Sequence, residues 1–266
     1  MGTMNSSRTR VAPVLDQLYD RDPSGAEWLD RLIALGSRAE VVRTVPKGQR
    51  LVPNHGRRWG DSESCLPAPL GLLEYLVQHL DPARVAASGD TGETLAKRTA
   101  LANRDPAVIA EALAALRSGK RGRKWFVLEG ESQPDAVLET EQIVLCVEGK
   151  RTESHGTTIT KWMPRRSQLV RHMDAALAFD RFRNKRVLGL LIAEGEGGAD
   201  AVTPSTHWLE QSAEQYEESM LADSLPHRPI EERERIANGM LGVTTWQAVC
   251  KATGIDWRSI ESLSNP

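Results

Sequence analysis

Near the middle of the sequence stand two carboxylates and an ammonium: Asp135, then Glu148 and Lys150 on either side of one glycine. Two adjacent carboxylates suit a hard divalent cation, which takes oxygen ligands and keeps several waters. Such a cation acidifies a bound water and neutralises charge on a phosphodiester. A lysine beside it can orient that water or stabilise developing negative charge. The expected catalytic residues are therefore Asp135, Glu148 and Lys150. Asp135 and Glu148 would ligate Mg2+ or Mn2+, with the backbone oxygen of Gly149 or a neighbour as an added ligand.

That clustering depends on strand geometry. Ile143 to Val147 is a continuous apolar run, as in a strand covered on both faces. Residues 135–139 form a second strand, and a two-residue turn at Thr140-Glu141 would pair Glu139 with Gln142. In this register Asp135 lies opposite Cys146, and Glu148 is its diagonal neighbour on the same face. A one-residue slip would separate them. Charged residues directly after a fully apolar strand are costly unless paired or functional.

The surrounding elements follow from periodicity and breakers. Helices are expected over 11–20 and 25–37, then a Pro/Gly/Arg-rich loop through 55–60, then helices over 71–80, 92–103 and 106–118. Strands are expected over 124–130, 135–139, 142–148 and 186–193, with a helix over 164–179 before the last. The stretch 203–266 reads as helical, near 206–221, 229–239 and 244–253. Helix, three strands, helix, strand is an α/β order: a mixed central sheet flanked by helices.

Pro134-Asp135, twelve residues, then Glu148-Gly149-Lys150 resembles the motif of the PD-(D/E)XK nuclease superfamily, which includes type II restriction enzymes and Holliday-junction resolvases. The resemblance covers 70–194, and the element order is similar to that superfamily's core. It implies a restriction-endonuclease-like αβββαβ core over 69–200. A helical and loop extension would occupy 1–68, and an acidic helical extension packed on the core 201–266. It further implies metal-dependent hydrolysis of nucleic acid, with DNA the first expectation and RNA open. A helix before the strands would supply another metal carboxylate. Glu74, beside a Leu/Val stripe, is the first choice and Glu111 the second. The helix after the motif would present Gln168, Arg171 and Arg166 to nucleic acid. Gln168 and Arg171 share a face, and Arg151 follows the motif directly. Glu153 could pair with Arg151 or join the site, and His155 could contact phosphate. The alternative is an inert nuclease-fold module that binds nucleic acid or a protein.

Net charge of −2 gives no sign of a polyanionic partner, but its distribution is uneven. Residues 116–186 carry 15 basic and 9 acidic side chains, net +6, whereas residues 187–266 carry 5 and 13, net −8. The basic stretch is where phosphate could be met, and Trp125 and Trp162 near it could stack bases. The acidic portion could cover the sheet, form a homodimer interface or bind a protein. Three scattered cysteines argue against disulfides and zinc, and imply a reducing, cytoplasmic setting. No apolar run suits a membrane span or secretory signal. The six histidines lack metal-ligand spacing. There is neither a Gly-x-x-x-x-Gly-Lys-Ser/Thr phosphate loop nor a Gly-x-Ser-x-Gly nucleophile elbow.

Overall fold

The structure, a computed structural model, describes residues 6–119, 124–151 and 160–264. Its centre is a four-stranded mixed sheet of order β1-β2-β3-β4: Ala136–Glu139, Ile143–Gly149, Arg186–Ala193 and Met240–Thr245. β1 pairs antiparallel with β2, and β2, β3 and β4 run parallel. Every residue of β2 is buried, as its unbroken apolar run requires of a parallel strand covered on both faces.

The helices, in chain order, are α1 (Ala12–Arg21), α2 (Leu29–Ala34), α3 (Ala39–Val42), α4 (Leu70–Gln78), α5 (Pro82–Ala86), α6 (Gly92–Ala102) and α7 (Pro106–Arg117). Between β2 and β3 lies α8 (Gln168–Ala178). After β3 come α9 (Thr206–Glu214), α10 (Glu218–Ser224), α11 (Ile230–Ala237), α12 (Trp246–Thr253) and α13 (Trp257–Glu261). A π-helical turn, Ser7–Val11, leads into α1. None of the described helices is long and apolar enough to cross a membrane.

Strand alternation divides the core. Leu138, Leu145, Val147, Leu190 and Ile192 face α1, α2, α12 and α13. Val137, Val144, Cys146 and Leu191 face α8 and the α9–α11 helices. A third apolar cluster lies apart from the sheet, where α4, α6 and α7 pack together with Phe126, Leu128 and Met163. Gly189 lets α8 approach β3: a Cβ there would lie 2.5 Å from Met173 Sδ.

Two expectations fail. The apolar run over 124–130 is not a strand; Val127 N–H closes a turn onto the Lys124 carbonyl at 3.1 Å, and Phe126 and Leu128 enter the helical cluster. The edge of β1 is met instead by residues 51–66 through isolated antiparallel bridges, Leu51 to Thr140, Trp59 to Ala136 and Leu66 to Ser132. Residues 240–245, inside the stretch read as helical, form the edge strand β4. The three-strand meander is thus a hairpin, and the sheet's fourth strand comes from the C-terminal third.

Candidate active site

The β1–β2 register determines which charged groups meet. Ala136 pairs with Val147 and Glu139 with Val144, so the turn is Glu141-Gln142 rather than Thr140-Glu141, and Thr140 N–H donates to the Ile143 carbonyl at 2.9 Å. Each partner is displaced by two residues from the expected register. An even displacement preserves the face, so Asp135 comes directly beside Glu148 instead of diagonal to it. Asp135 Oδ2 accepts a hydrogen bond from the Gly149 N–H at 2.7 Å.

Lys150 continues the strand past β2: its N–H donates to the Ile192 carbonyl at 2.8 Å, and its carbonyl accepts from the Glu194 N–H at 2.9 Å. Glu148 and Lys150 therefore share the face of Cys146, the face covered by α8. There they meet two side chains one helical turn apart. Lys150 Nζ donates to Gln168 Oε1 at 3.0 Å and lies 2.8 Å from Glu148 Oε1. Glu148 Oε2 lies 2.9 Å from His172 Nε2, and His172 Nδ1 lies 2.6 Å from the Ser132 hydroxyl. Residues 148 and 150 on the strand and 168 and 172 on the helix thus form a closed ladder. Ser132 is held in turn by reciprocal backbone bonds to Leu66, at 2.7 and 2.8 Å.

The two carboxylates differ electrostatically. Burial pushes Asp135 upward, the charge of Glu148 adds to this, and its pKa reaches about 8 despite the Gly149 hydrogen bond. Burial also pushes Glu148 upward, but His172 and Lys150 outweigh it and hold the group below the usual carboxylate range. An ionised Glu148 only accepts hydrogen bonds, so His172 Nε2 carries the hydrogen and donates to it. Ser132, His172 and Glu148 form a serine–histidine–acid chain, yet Ser132 is only 1% exposed and out of a substrate's reach. The chain orients Glu148.

Of the residues expected on sequence grounds, Asp135, Glu148, Lys150 and Gln168 come together. Glu74 does not join them: it pairs with Arg117 Nε at 2.7 Å, on α4 and α7, which pack in the separate helical cluster. Glu111 similarly pairs with Lys97 at 2.5 Å. Arg166 is fully buried, bonded to Asp174 Oδ2 at 2.6 Å and to the Ser224 carbonyl at 3.0 Å, so it cannot meet a phosphate. Arg171 is taken up by Glu129 and the carbonyls of Gly130 and Glu131. Arg151 lies 3.3 Å from Glu194, which also accepts from Nε and Nη2 of the buried Arg10 at 2.9 and 3.0 Å. Glu153, His155 and residues 120–123 of the basic stretch lie outside the described residues.

Sequence reasoning missed His172 and Glu63. His172 follows Gln168 by four residues, the spacing that places two side chains on one helix face, and that was its available signal. Glu63 adds to the upward push on Asp135 and accepts from Ser7 Oγ at 2.5 Å. It lies in a short loop with no periodicity to mark it.

Among the described residues, no group of three or more His, Cys, Asp or Glu side chains is arranged to hold a metal ion. This excludes an all-protein cage there, but two carboxylates do suit a magnesium-type ion, which retains waters for its other positions. Each carboxylate oxygen of Glu148 has a lone pair beyond its present hydrogen bond. The high pKa of Asp135 marks a place short of positive charge. No family model matches the chain, and no curated protein or solved structure matches it.

Proposed function

We propose that this protein is a metal-dependent nuclease with a PD-(D/E)XK arrangement on a restriction-endonuclease-like core, hydrolysing phosphodiester bonds with DNA as its first candidate substrate. The observation that carries the reading is the juxtaposition of Asp135 and Glu148, with Lys150 bonded between Glu148 and Gln168. It lies at the carboxyl end of β2, where open parallel sheets bind their ligands.

In this reading Asp135 and Glu148 would hold Mg2+ or Mn2+, which supplies charge neutralisation and an acidified water. Asp135 would be ionised with a cation beside it, since a positive charge next to a carboxyl favours that form. Lys150 stabilises negative charge on the phosphate, and Gln168 aims its ammonium. His172, backed by Ser132, fixes the carboxylate plane of Glu148.

Purified protein incubated with DNA and RNA, with and without Mg2+ or Mn2+, tests this. Metal-dependent cleavage is expected, abolished by Asp135→Ala and by Lys150→Ala. Cleavage that survives either substitution removes the assignment. A second reading, an inert nuclease-fold module, is favoured by one observation: both oxygens of the 2%-exposed Glu148 already have partners. Calorimetric titration separates the two, because the inert module takes up no divalent cation.

A further inference from the structure

A second feature lies on the same connection that runs from Lys150 to Gln168. Tyr75 on α4 and His79 at its C-cap have their rings stacked at 4.1 Å with an interplanar angle of 14°. The His79 Nδ1 lies 2.9 Å from the Tyr75 carbonyl, which locks the pair. They line a cavity of about 550 Å³ together with Trp162, Pro164, Arg165 and Asp223. This volume falls within the roughly 300–1,000 Å³ typical of small-ligand sites.

Cations frame the aromatic surface. Arg98 and Lys161 lie 5.0 and 4.9 Å from the Trp162 ring centroid, and they share a single carboxylate, Asp90, at 2.5 and 2.9 Å. One positive charge there is left over. Arg165 is 75% exposed at the rim, paired with Asp223 at 2.9 Å. Aromatic rings bind bases by stacking, and cations beside them meet the backbone by charge. Trp162 is six residues from Gln168, so a fully extended chain would separate them by at most about 20 Å.

We propose that this cavity is a nucleobase subsite for an unpaired nucleotide near the scissile phosphate, so that the substrate is single-stranded or frayed nucleic acid. The proposal rests on the nuclease reading for its substrate, but it commits to a strand with its bases free. Bases paired in a duplex are stacked on their neighbours and cannot enter such a cavity.

The test is fluorescence anisotropy with the full chain in EDTA, using a labelled single-stranded DNA, the same strand carrying base-free sugars, and the matching duplex. The expected result is that the unpaired strand binds about 10-fold more tightly than the base-free strand. Trp162→Ala and Tyr75→Ala should each remove that preference, and Trp162→Phe should retain most of it. His79→Ala, at an exposed position outside the core, should weaken it without affecting folding. Equal binding of the two strands by the wild-type protein, or a preference undiminished in all three alanine variants, overturns the subsite. Base-dependent binding without metal-dependent cleavage keeps the subsite and removes the nuclease reading. Cleavage with base-independent binding does the reverse, and no binding of any strand removes the subsite while the cleavage assay still decides the nuclease reading.

Discussion

Asp135 sits where water is scarce and a second carboxylate adjoins it, and both effects raise its pKa to about 8. Ionising it therefore costs the folded protein more than the unfolded chain, whose aspartates titrate near 3.9. The folded pKa lies above the unfolded one, so the protein loses stability as pH rises from about 4 to about 8. Asp135→Asn keeps an acceptor for the Gly149 N–H and removes the charge. In EDTA it should raise the melting temperature at about pH 9 and leave it nearly unchanged near pH 3, where the aspartate is largely protonated in both states. A melting curve that is no higher at the alkaline end contradicts the assignment. His172 acts on the neighbouring carboxylate. His172→Ala should lower Mn2+ affinity by about 10- to 100-fold, because a group that orients a metal ligand matters nearly as much as the ligand. Calorimetric titration reads this directly, and an unchanged affinity would leave His172 a packing residue.

At the scale of elements, the site is a joint between β2 and α8, and its closeness is set by Gly189. An alanine there drives its methyl into Met173 Sδ, so Gly189→Ala should destabilise by about 1–3 kcal/mol through overpacking. Urea unfolding measures this, and adding Met173→Ala should recover part of the loss. At the far end of β1, Glu139 is held by Arg58, Arg181 and Lys185 at 2.7, 2.7 and 3.0 Å. Burial opposes these cations and loses, leaving its pKa at about 2. Here the folded pKa is depressed, so the contribution is complete above the unfolded value of about 4.3 and is lost as pH falls towards 2. Glu139→Gln should flatten the fall in melting temperature over that window.

These elements show where the sequence was legible. The parity of Asp135 and Glu148 could be read because a strand's period is two, and it withstood a turn misplaced by one residue at each end. The strand over 124–130 could not be read correctly, since Trp125-Phe126-Val127-Leu128 is apolar whether it pairs in a sheet or plugs a helical cluster. β4 was hidden by Gly239 and Gly242. A Cβ at Gly239 would strike the Val187 carbonyl oxygen at 2.3 Å, and Gly242 has φ +89°; both break the apolar pattern for reasons of tertiary contact. Arg166 and Arg171 looked like phosphate ligands because charge is visible in sequence, whereas the burial that ties Arg166 to Asp174 and the fold that brings Glu129 to Arg171 are not.

For the molecule as a whole, the division of the chain at residue 200 runs through apolar clusters to which both sides contribute. Asp174, fully buried on α8, is held far below the usual carboxylate range by burial's losing contest with Arg166, His227 and Arg228. Arg228 Nε donates to it at 2.8 Å, and the Arg166 guanidinium at 2.6 Å also reaches the Ser224 carbonyl. The C-terminal third is thus bound to the helix that carries Gln168 and His172. It also supplies β4 and, through Leu241, Trp246, Val249, Trp257 and Ile260, much of the apolar layer over the sheet. A chain truncated after residue 200 would expose the long apolar edge of β3, leave Arg166 and Asp174 without Ser224, His227 and Arg228, and strip one face of the sheet. Edges of that kind associate. The truncated chain should show no cooperative urea transition and should aggregate, while the full chain unfolds in a single step. A truncated form that unfolds cooperatively as a monomer would show that the acidic segment is separable and that the site stands without it.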